Sequence, residues 1–398
     1  MNTKILSSAD QCVKCGLCLP HCPTYLNSKN ENESPRGRIS LIQAVASQKL
    51  PVSTKIFSHL DHCLECKACE KACPSAVPYT QLLNKTKHQF FNHQQPSIFI
   101  RLLLSTVASH SKLALLQKTL RLLSFLKIQK VIHFFRLMHL FSFTQFIPEK
   151  FSTVETNNNP NTDNQRNVAL FTGCMSPLMD SRTISDTTTL LSKIGFNVII
   201  PKQQQCCGAL HYHNNQHETA IKMMQKNSDL FTSIDVEAIL SIATGCCDML
   251  QNTDKLLDSP PKYHADEICY FLFQHANLQT ENFNKANETI IVHTPCSLRN
   301  GLKQTNHAIN LLGLIKGLNI IELTDQTCCG SAGTHMIRSP TKANEFIHDK
   351  LQQISATKPT YLATSNIGCA LHFQNNLTAQ QLDTKVLHPV SILLKYLK

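Results

Sequence analysis

Sixteen of the 18 cysteines in this 398-residue chain stand at recurring spacings, and thiolates so spaced ligate metals or exchange electrons. The first pattern is Cys12-x-x-Cys15-x-x-Cys18-x-x-x-Cys22-Pro23, which returns as Cys63-x-x-Cys66-x-x-Cys69-x-x-x-Cys73-Pro74. Three thiolates two residues apart reach three irons of one [4Fe–4S] cube from a single tight loop. The fourth cannot bend back to that cube, so it ligates the other one, and the proline turns the chain away. The spacing therefore predicts Cys12, Cys15, Cys18 and Cys73 on one cluster, with Cys63, Cys66, Cys69 and Cys22 on the second. Structural zinc, which takes four tetrahedral ligands usually as two C-x2-C pairs, has no use for a doubled quartet. Exchanged fourth ligands bring the clusters close together, which suits an electron relay.

The second pattern is an internal repeat. Cys174, Cys206-Cys207-Gly208 and Cys246 recur as Cys296, Cys328-Cys329-Gly330 and Cys369, at offsets of 122, 122 and 123 residues. His213 and His335 each follow their cysteine pair by six residues, and Gly245 and Gly368 each precede the last cysteine. Three readings compete for these eight thiols: a further iron–sulfur or metal centre, a thiol/disulfide pair, or buried packing. A Cys-Cys-Gly turn between outlying cysteines is hard to justify as packing, and converging soft thiolates favour iron or zinc. Cys247 and Cys269 have no counterparts. The aligned histidines are ligand candidates on alignment alone; the plain alternative is a loop or core histidine.

Elements must carry these residues. Buried strands are expected at 168–172 and 289–293, helices at 180–194 and 298–314, and further strands at 197–200 and 319–323. Third strands at 237–243 and 360–364 run into Cys246 and Cys369. Strands alternating with helices mean an α/β architecture with mostly parallel sheets, and such sheets place ligands just past the carboxyl ends of strands. Upstream, residues 34–38 lead into a helix at 39–47; Arg36 and Arg38 there either dock a partner or sit solvated beside anionic clusters. The fold class is multidomain α and α/β. A helical two-cluster ferredoxin-like module spans 1–92, a basic helical segment 93–150 and a linker 151–167. Tandem α/β cysteine-rich repeats follow at 168–284 and 285–398.

The net charge of +11 is local: residues 71–148 hold ten basic residues and no acidic one, and the rest of the chain nearly balances. Arg101, Lys112, Lys118, Arg121, Lys127, Lys130 and Arg136 interleave with leucine and phenylalanine. At about 100° per residue they do not share one helical face. Docking on an anionic membrane surface or an acidic partner and ordinary core packing therefore both stay open. No nucleic-acid-binding module accompanies the charge, so no nucleic-acid partner is expected. The first ten residues contain no apolar h-region and no apolar run reaches about 18 residues, so neither a secretory signal nor a spanning helix is expected. With no dinucleotide fingerprint, phosphate loop or hydrolase constellation, the chain shows no substrate site, and no catalytic residue is assigned.

The two ferredoxin-type motifs, Ser34-Pro35-Arg36-Gly37-Arg38, Cys206-Cys207-Gly208-Ala209-Leu210, Cys328-Cys329-Gly330-Ser331-Ala332-Gly333 and Asn366-Ile367-Gly368-Cys369 together resemble the glycolate oxidase iron–sulfur subunit family. The likeness runs through nearly the whole chain. It implies a subunit of a glycolate dehydrogenase, an oxidoreductase in which flavin-binding 2-hydroxyacid oxidase subunits carry FAD and turn glycolate into glyoxylate. It also implies two [4Fe–4S] clusters here, passing electrons to a membrane quinone or other acceptor, from a cytoplasmic position at the inner face of the membrane. The repeats are similar to the cysteine-rich domains of heterodisulfide reductase, where C…CC…CxxC holds a non-cubane cluster. This chain departs from that pattern, with Met249 and His372 where the last cysteine would stand. Two alternatives stay open: the iron–sulfur subunit of anaerobic glycerol-3-phosphate dehydrogenase, and a thiol/disulfide enzyme like heterodisulfide reductase.

Overall fold

The computed structural model describes residues 2–94, 96–109, 111–113, 115–116, 118–119, 166–257 and 261–398. The second half of the basic segment, with Arg121, Lys127, Lys130 and Arg136, and nearly all of the expected linker lie outside the described residues.

Helices Asn2–Asp10, Pro35–Ala46, Thr54–Asp61 and Tyr79–Phe90 close a small N-terminal core around Ile42, Leu60, Leu83 and Phe91. The helix expected at 39–47 starts four residues earlier because Ser34 caps it. Its hydroxyl accepts the Gly37 N–H at 2.9 Å, and Pro35 takes the first helical position, where a missing N–H costs nothing. Arg38 is thereby turned inward and is fully buried. It donates to Glu33 at 2.6 Å, to Thr24 Oγ1 at 3.0 Å and to the His59 carbonyl at 2.6 Å. Neither expectation for Arg38, solvation or partner docking, survives that burial. Arg36 stays at the surface, paired with Glu31.

The basic segment begins with helix Ile98–Val107, capped by the Ser97 hydroxyl, which accepts the Ile100 N–H at 3.5 Å. Ile100, Leu104 and Val107 are buried on one side, and the Leu104 carbonyl meets His211 Nε2 at 3.2 Å. Ile98, Phe99, Arg101 and Leu102 face outward. Core packing therefore accounts for one face of this helix, and among the described residues the other is exposed. No described helix is long and apolar enough to cross a membrane.

Each repeat is a four-stranded, wholly parallel sheet. Strands β1 (Arg166–Phe171), β2 (Phe196–Ile199), β3 (Ala238–Ser241) and β4 (Ala265–Glu267) lie in the order β2-β1-β3-β4. Strands β5 (Thr289–His293), β6 (Asn319–Glu322), β7 (Tyr361–Thr364) and β8 (Lys385–Leu387) repeat it as β6-β5-β7-β8. The strand order reverses between β1 and β3, and between β5 and β7, so each sheet has a crevice at the carboxyl ends of those strands. The helix expected at 298–314 is broken. A π-helical turn at Ser297–Leu302 gives way at Lys303, which takes a left-handed conformation (φ +59°), before helix His307–Leu312.

The repeats grip each other reciprocally. Helix Pro389–Tyr396, following β8, packs on helix Ser181–Lys193 of the first repeat; helix Ile268–His275, following β4, packs on His307–Leu312 of the second. One apolar core, including Leu190, Leu191, Phe271, Leu311, Ile392 and Leu393, runs through both. Each such side chain contributes about 1.5–3 kcal/mol by leaving water. The carboxyl ends of the two sheets consequently meet: the Thr244 N–H donates to the Ser365 carbonyl at 3.0 Å, and the Thr244 and Ser297 hydroxyls lie 2.7 Å apart.

Candidate metal centres

The two ferredoxin-type loops share one backbone device. Lys14 (φ +59°) and Gly16 (φ +85°) in the first, and Glu65 (φ +49°) and Lys67 (φ +58°) in the second, adopt the left-handed region at equivalent positions. Left-handed residues between the cysteines curl each loop about its thiols, a conformation that side chains other than glycine adopt at some cost. Cys12, Cys15, Cys18 and Cys73 line one small cavity, which Cys69 also reaches. Its rim is at the surface: Cys15 is exposed, with Val13 68% and Leu17 55% exposed beside it. Cys22, by contrast, is buried. Burial pushes the Cys69 thiol well up, and the neighbouring Cys66, Cys63 and Cys22 push it further. Burial, with neighbouring thiols adding to it, also raises Cys18, Cys63 and Cys66, and soft donors crowded in this way fit a cationic iron centre that would neutralise them.

All eight repeat cysteines, Cys174, Cys206, Cys207, Cys246, Cys296, Cys328, Cys329 and Cys369, line a single cavity of about 360 Å³ together with Cys63 and Cys66. The crevices of both sheets thus open into one space beside the second ferredoxin loop. In the first repeat Cys206 Sγ lies 3.3 Å from Cys174 Sγ, and the free thiols of Cys207 and Cys246 share a hydrogen bond. In the second, Cys296 and Cys328 are 3.9 Å apart, and Cys329 and Cys369 3.4 Å. Gly208 and Gly330 turn the two Cys-Cys-Gly loops with the same φ of +88°, which favours glycine. His293, at the end of β5, was not singled out in the sequence, yet its ring joins Cys329 and Cys369 with all ligand atoms within 4.8 Å of one another. The first repeat has Phe171 at that position, so repeat alignment hides it. Burial first, then Lys350 and Arg299, hold His293 at about 3, so the ring is neutral at ordinary pH. Cys247 and Cys269 are buried packing residues, Cys269 within the core common to both repeats.

Charge pins the N-terminal module to this cavity. Glu65, between Cys63 and Cys66, accepts from His213 Nδ1 at 2.6 Å and from Asn84 Nδ2 at 2.7 Å, and lies near Lys87. Burial alone would raise its carboxyl, but His213, Lys87 and Asn84 outweigh that and hold it at about 2. Lys87 also reaches Asp61 at 3.1 Å and the His213 carbonyl at 3.0 Å; Asp61 in turn pairs with Arg338 of the second repeat. Lys67 pairs with Asp248, and Asn300 Nδ2 donates to the Cys66 carbonyl at 2.8 Å. The aligned histidines therefore part company: His213 joins the modules, whereas His335 bonds the Gly330 carbonyl of its own turn at 3.0 Å. His372 turns its Nε2 to the Ala343 carbonyl at 3.2 Å.

Comparison with known proteins follows the same division. A 4Fe–4S dicluster domain family matches residues 8–77, and a cysteine-rich domain family matches 168–251 and 290–374. The glycolate oxidase iron-sulfur subunit of Escherichia coli is 30% identical over 379 residues, which cover 91% of this chain and 88% of that protein. The chain belongs to the glycolate oxidase iron–sulfur subunit family. A probable glycolate oxidase iron-sulfur subunit of Bacillus subtilis is 29% identical over 423 residues, covering 96% of this chain and 93% of its own length. Lactate utilization protein A of Oceanobacillus iheyensis is 26% identical over 236 residues, which cover 57% of this chain and 96% of that protein. In this member of the iron–sulfur subunit family, the eight motif cysteines fall inside one matched domain and the eight repeat cysteines inside the other two.

Proposed function

We propose that this chain relays electrons within a complex that oxidises glycolate to glyoxylate. Flavin-binding 2-hydroxyacid oxidase subunits, carrying FAD, take the electron pair and two protons from substrate, one with the hydride and one from the hydroxyl; this chain takes the electrons on, one at a time, towards a membrane quinone or other acceptor. The observation that carries the reading is the near full-length match to glycolate oxidase iron-sulfur subunits, joined to two crowded thiol groups and no dinucleotide fingerprint in the sequence. Cys12, Cys15, Cys18 and Cys73 would hold one [4Fe–4S] cluster, and Cys63, Cys66, Cys69 and Cys22 the other. Bound there, such clusters supply one-electron transfer. The left-handed loops aim the thiols, Arg38 lowers the ionisation cost at Cys63, and Glu65, Lys67 and Asn300 hold the second loop against the repeats. The unit boundaries expected at 92, 150, 167 and 284 belong to this reading. So does a peripheral position at the inner face of the cytoplasmic membrane, which the exposed Ile98, Phe99 and Leu102 beside Arg101 support.

A second reading, thiol/disulfide chemistry by the repeats, is favoured by one observation: all eight of their cysteines face one cavity. Anaerobic co-purification with the partner subunits, iron analysis and substrate-dependent reduction separate the two. The first reading expects about 8 irons for the two cubes and bleaching of the clusters by glycolate with the flavoprotein. Reduction by a dithiol or disulfide couple but never by glycolate would replace it with the second. Reduction by glycerol-3-phosphate alone would move the chain to that dehydrogenase.

A further inference from the structure

The two repeats carry the same thiols but not the same nitrogen donor. At the carboxyl end of β5, His293 is 4% exposed, and its ring meets Cys329 (2%) and Cys369 (3%), with the ligand atoms all within 4.8 Å of one another. Thr364, at the end of the adjacent β7, places its hydroxyl 2.9 Å from His293 Nδ1. That contact fixes the ring's orientation, as an outer partner does for a metal-bound imidazole, and makes Nε2 the donor nitrogen. In the first repeat Phe171 fills the corresponding place, so its four cysteines have no such imidazole.

We infer that His293, Cys329 and Cys369 form a zinc site in the second repeat alone, distinct from the ferredoxin-type clusters. Three arguments converge. A mixed nitrogen and sulfur donor set suits a tetrahedral d¹⁰ ion, whereas cubane iron centres use thiolates. A dication with two thiolates and a neutral imidazole carries no net charge, so it is buried at little electrostatic cost. Both cysteines also line the shared cavity while His293 stands behind them, so the fourth position of the ion faces the cavity. Binding releases the two thiol protons to solvent and involves no electron transfer. The site does not depend on the identity of the oxidised substrate.

The test is metal analysis of the full-length protein, purified anaerobically from cells supplied with both iron and zinc. About one zinc per chain is expected beside the iron. His293→Phe, which installs the residue of the first repeat, should lower zinc about ten-fold or more while leaving iron and the melting temperature close to wild type. His293→Cys keeps a soft donor and should retain zinc. Cobalt-loaded wild-type protein should show thiolate-to-cobalt charge-transfer bands, a readout that needs no variant, and folded His293→Phe should lack them. Wild-type protein without zinc, zinc unchanged in His293→Phe, or extra iron in place of zinc would each overturn the inference.

Discussion

Single atoms decide several of these features. If Cys18 and Cys73 serve one cluster, Cys18→Ser and Cys73→Ser should remove the same paramagnetic signal from the reduced protein, and Cys66→Ser the other. Loss of different signals on changing Cys18 and Cys73 would undo the exchanged-ligand assignment. The paired glycines make a sharper comparison. A Cβ at Gly330 would lie 2.6 Å from the Ala343 carbonyl oxygen, and one at Gly208 would lie 3.1 Å from the Ala220 oxygen. Each alanine should cost about 1–3 kcal/mol for a left-handed backbone, with Gly330→Ala the worse of the two in thermal melts. The cysteines could be read from the sequence because their spacing is itself the chemistry. Glu65 and His293 could not, since each acts as a lone residue whose partners, His213 in one case and Cys329 and Cys369 in the other, arrive from distant stretches of chain.

At the scale of elements, three strands of each repeat were visible as apolar runs, and the fourth was not. β4 (Ala-Asp-Glu) and β8 (Lys-Val-Leu) are three residues long and carry charge, so they offer no alternation to detect. Glu267, which ends β4, shows what such a position costs. Its carboxylate caps helix Ile268–His275 by accepting the Tyr270 N–H at 3.0 Å, while Oε1 is buried without a partner. Burial raises the group from 4.5 to about 7, against the opposing hydrogen bonds from Tyr270 and Cys269. The native state therefore holds this proton more tightly than the unfolded chain, and stability falls as pH climbs between those two values. Glu267→Gln should melt higher than wild type at pH 8, by up to about 3 kcal/mol, and converge with it below about pH 4. A gain independent of pH would mean that ionisation is not the cause.

Across the whole molecule, charged pairs join the N-terminal module to the repeats: Glu65 with His213, Asp61 with Arg338 and Lys67 with Asp248. Lys87 is 2% exposed and joins Asp61, the His213 carbonyl and Glu65. Lys87→Ala would take one counter-charge from Asp61 and Glu65, which keep Arg338 and His213, and would leave the His213 carbonyl without its donor, at a cost of roughly 1–3 kcal/mol. Calorimetry should then resolve an early transition for the N-terminal module that the wild type lacks; a single unshifted transition would show the contact to be dispensable. The duplication behind the repeats was legible in the cysteine offsets, but nothing in the sequence announced that each repeat finishes the other. Because helix Pro389–Tyr396 covers helix Ser181–Lys193, and Ile268–His275 covers His307–Leu312, a chain cut near residue 284 leaves two pieces with raw apolar faces. Each piece made alone should clump, whereas the two made together in one cell should mend the break without a peptide bond. The two copies behave as halves of a single clasp, each useless until the other is present.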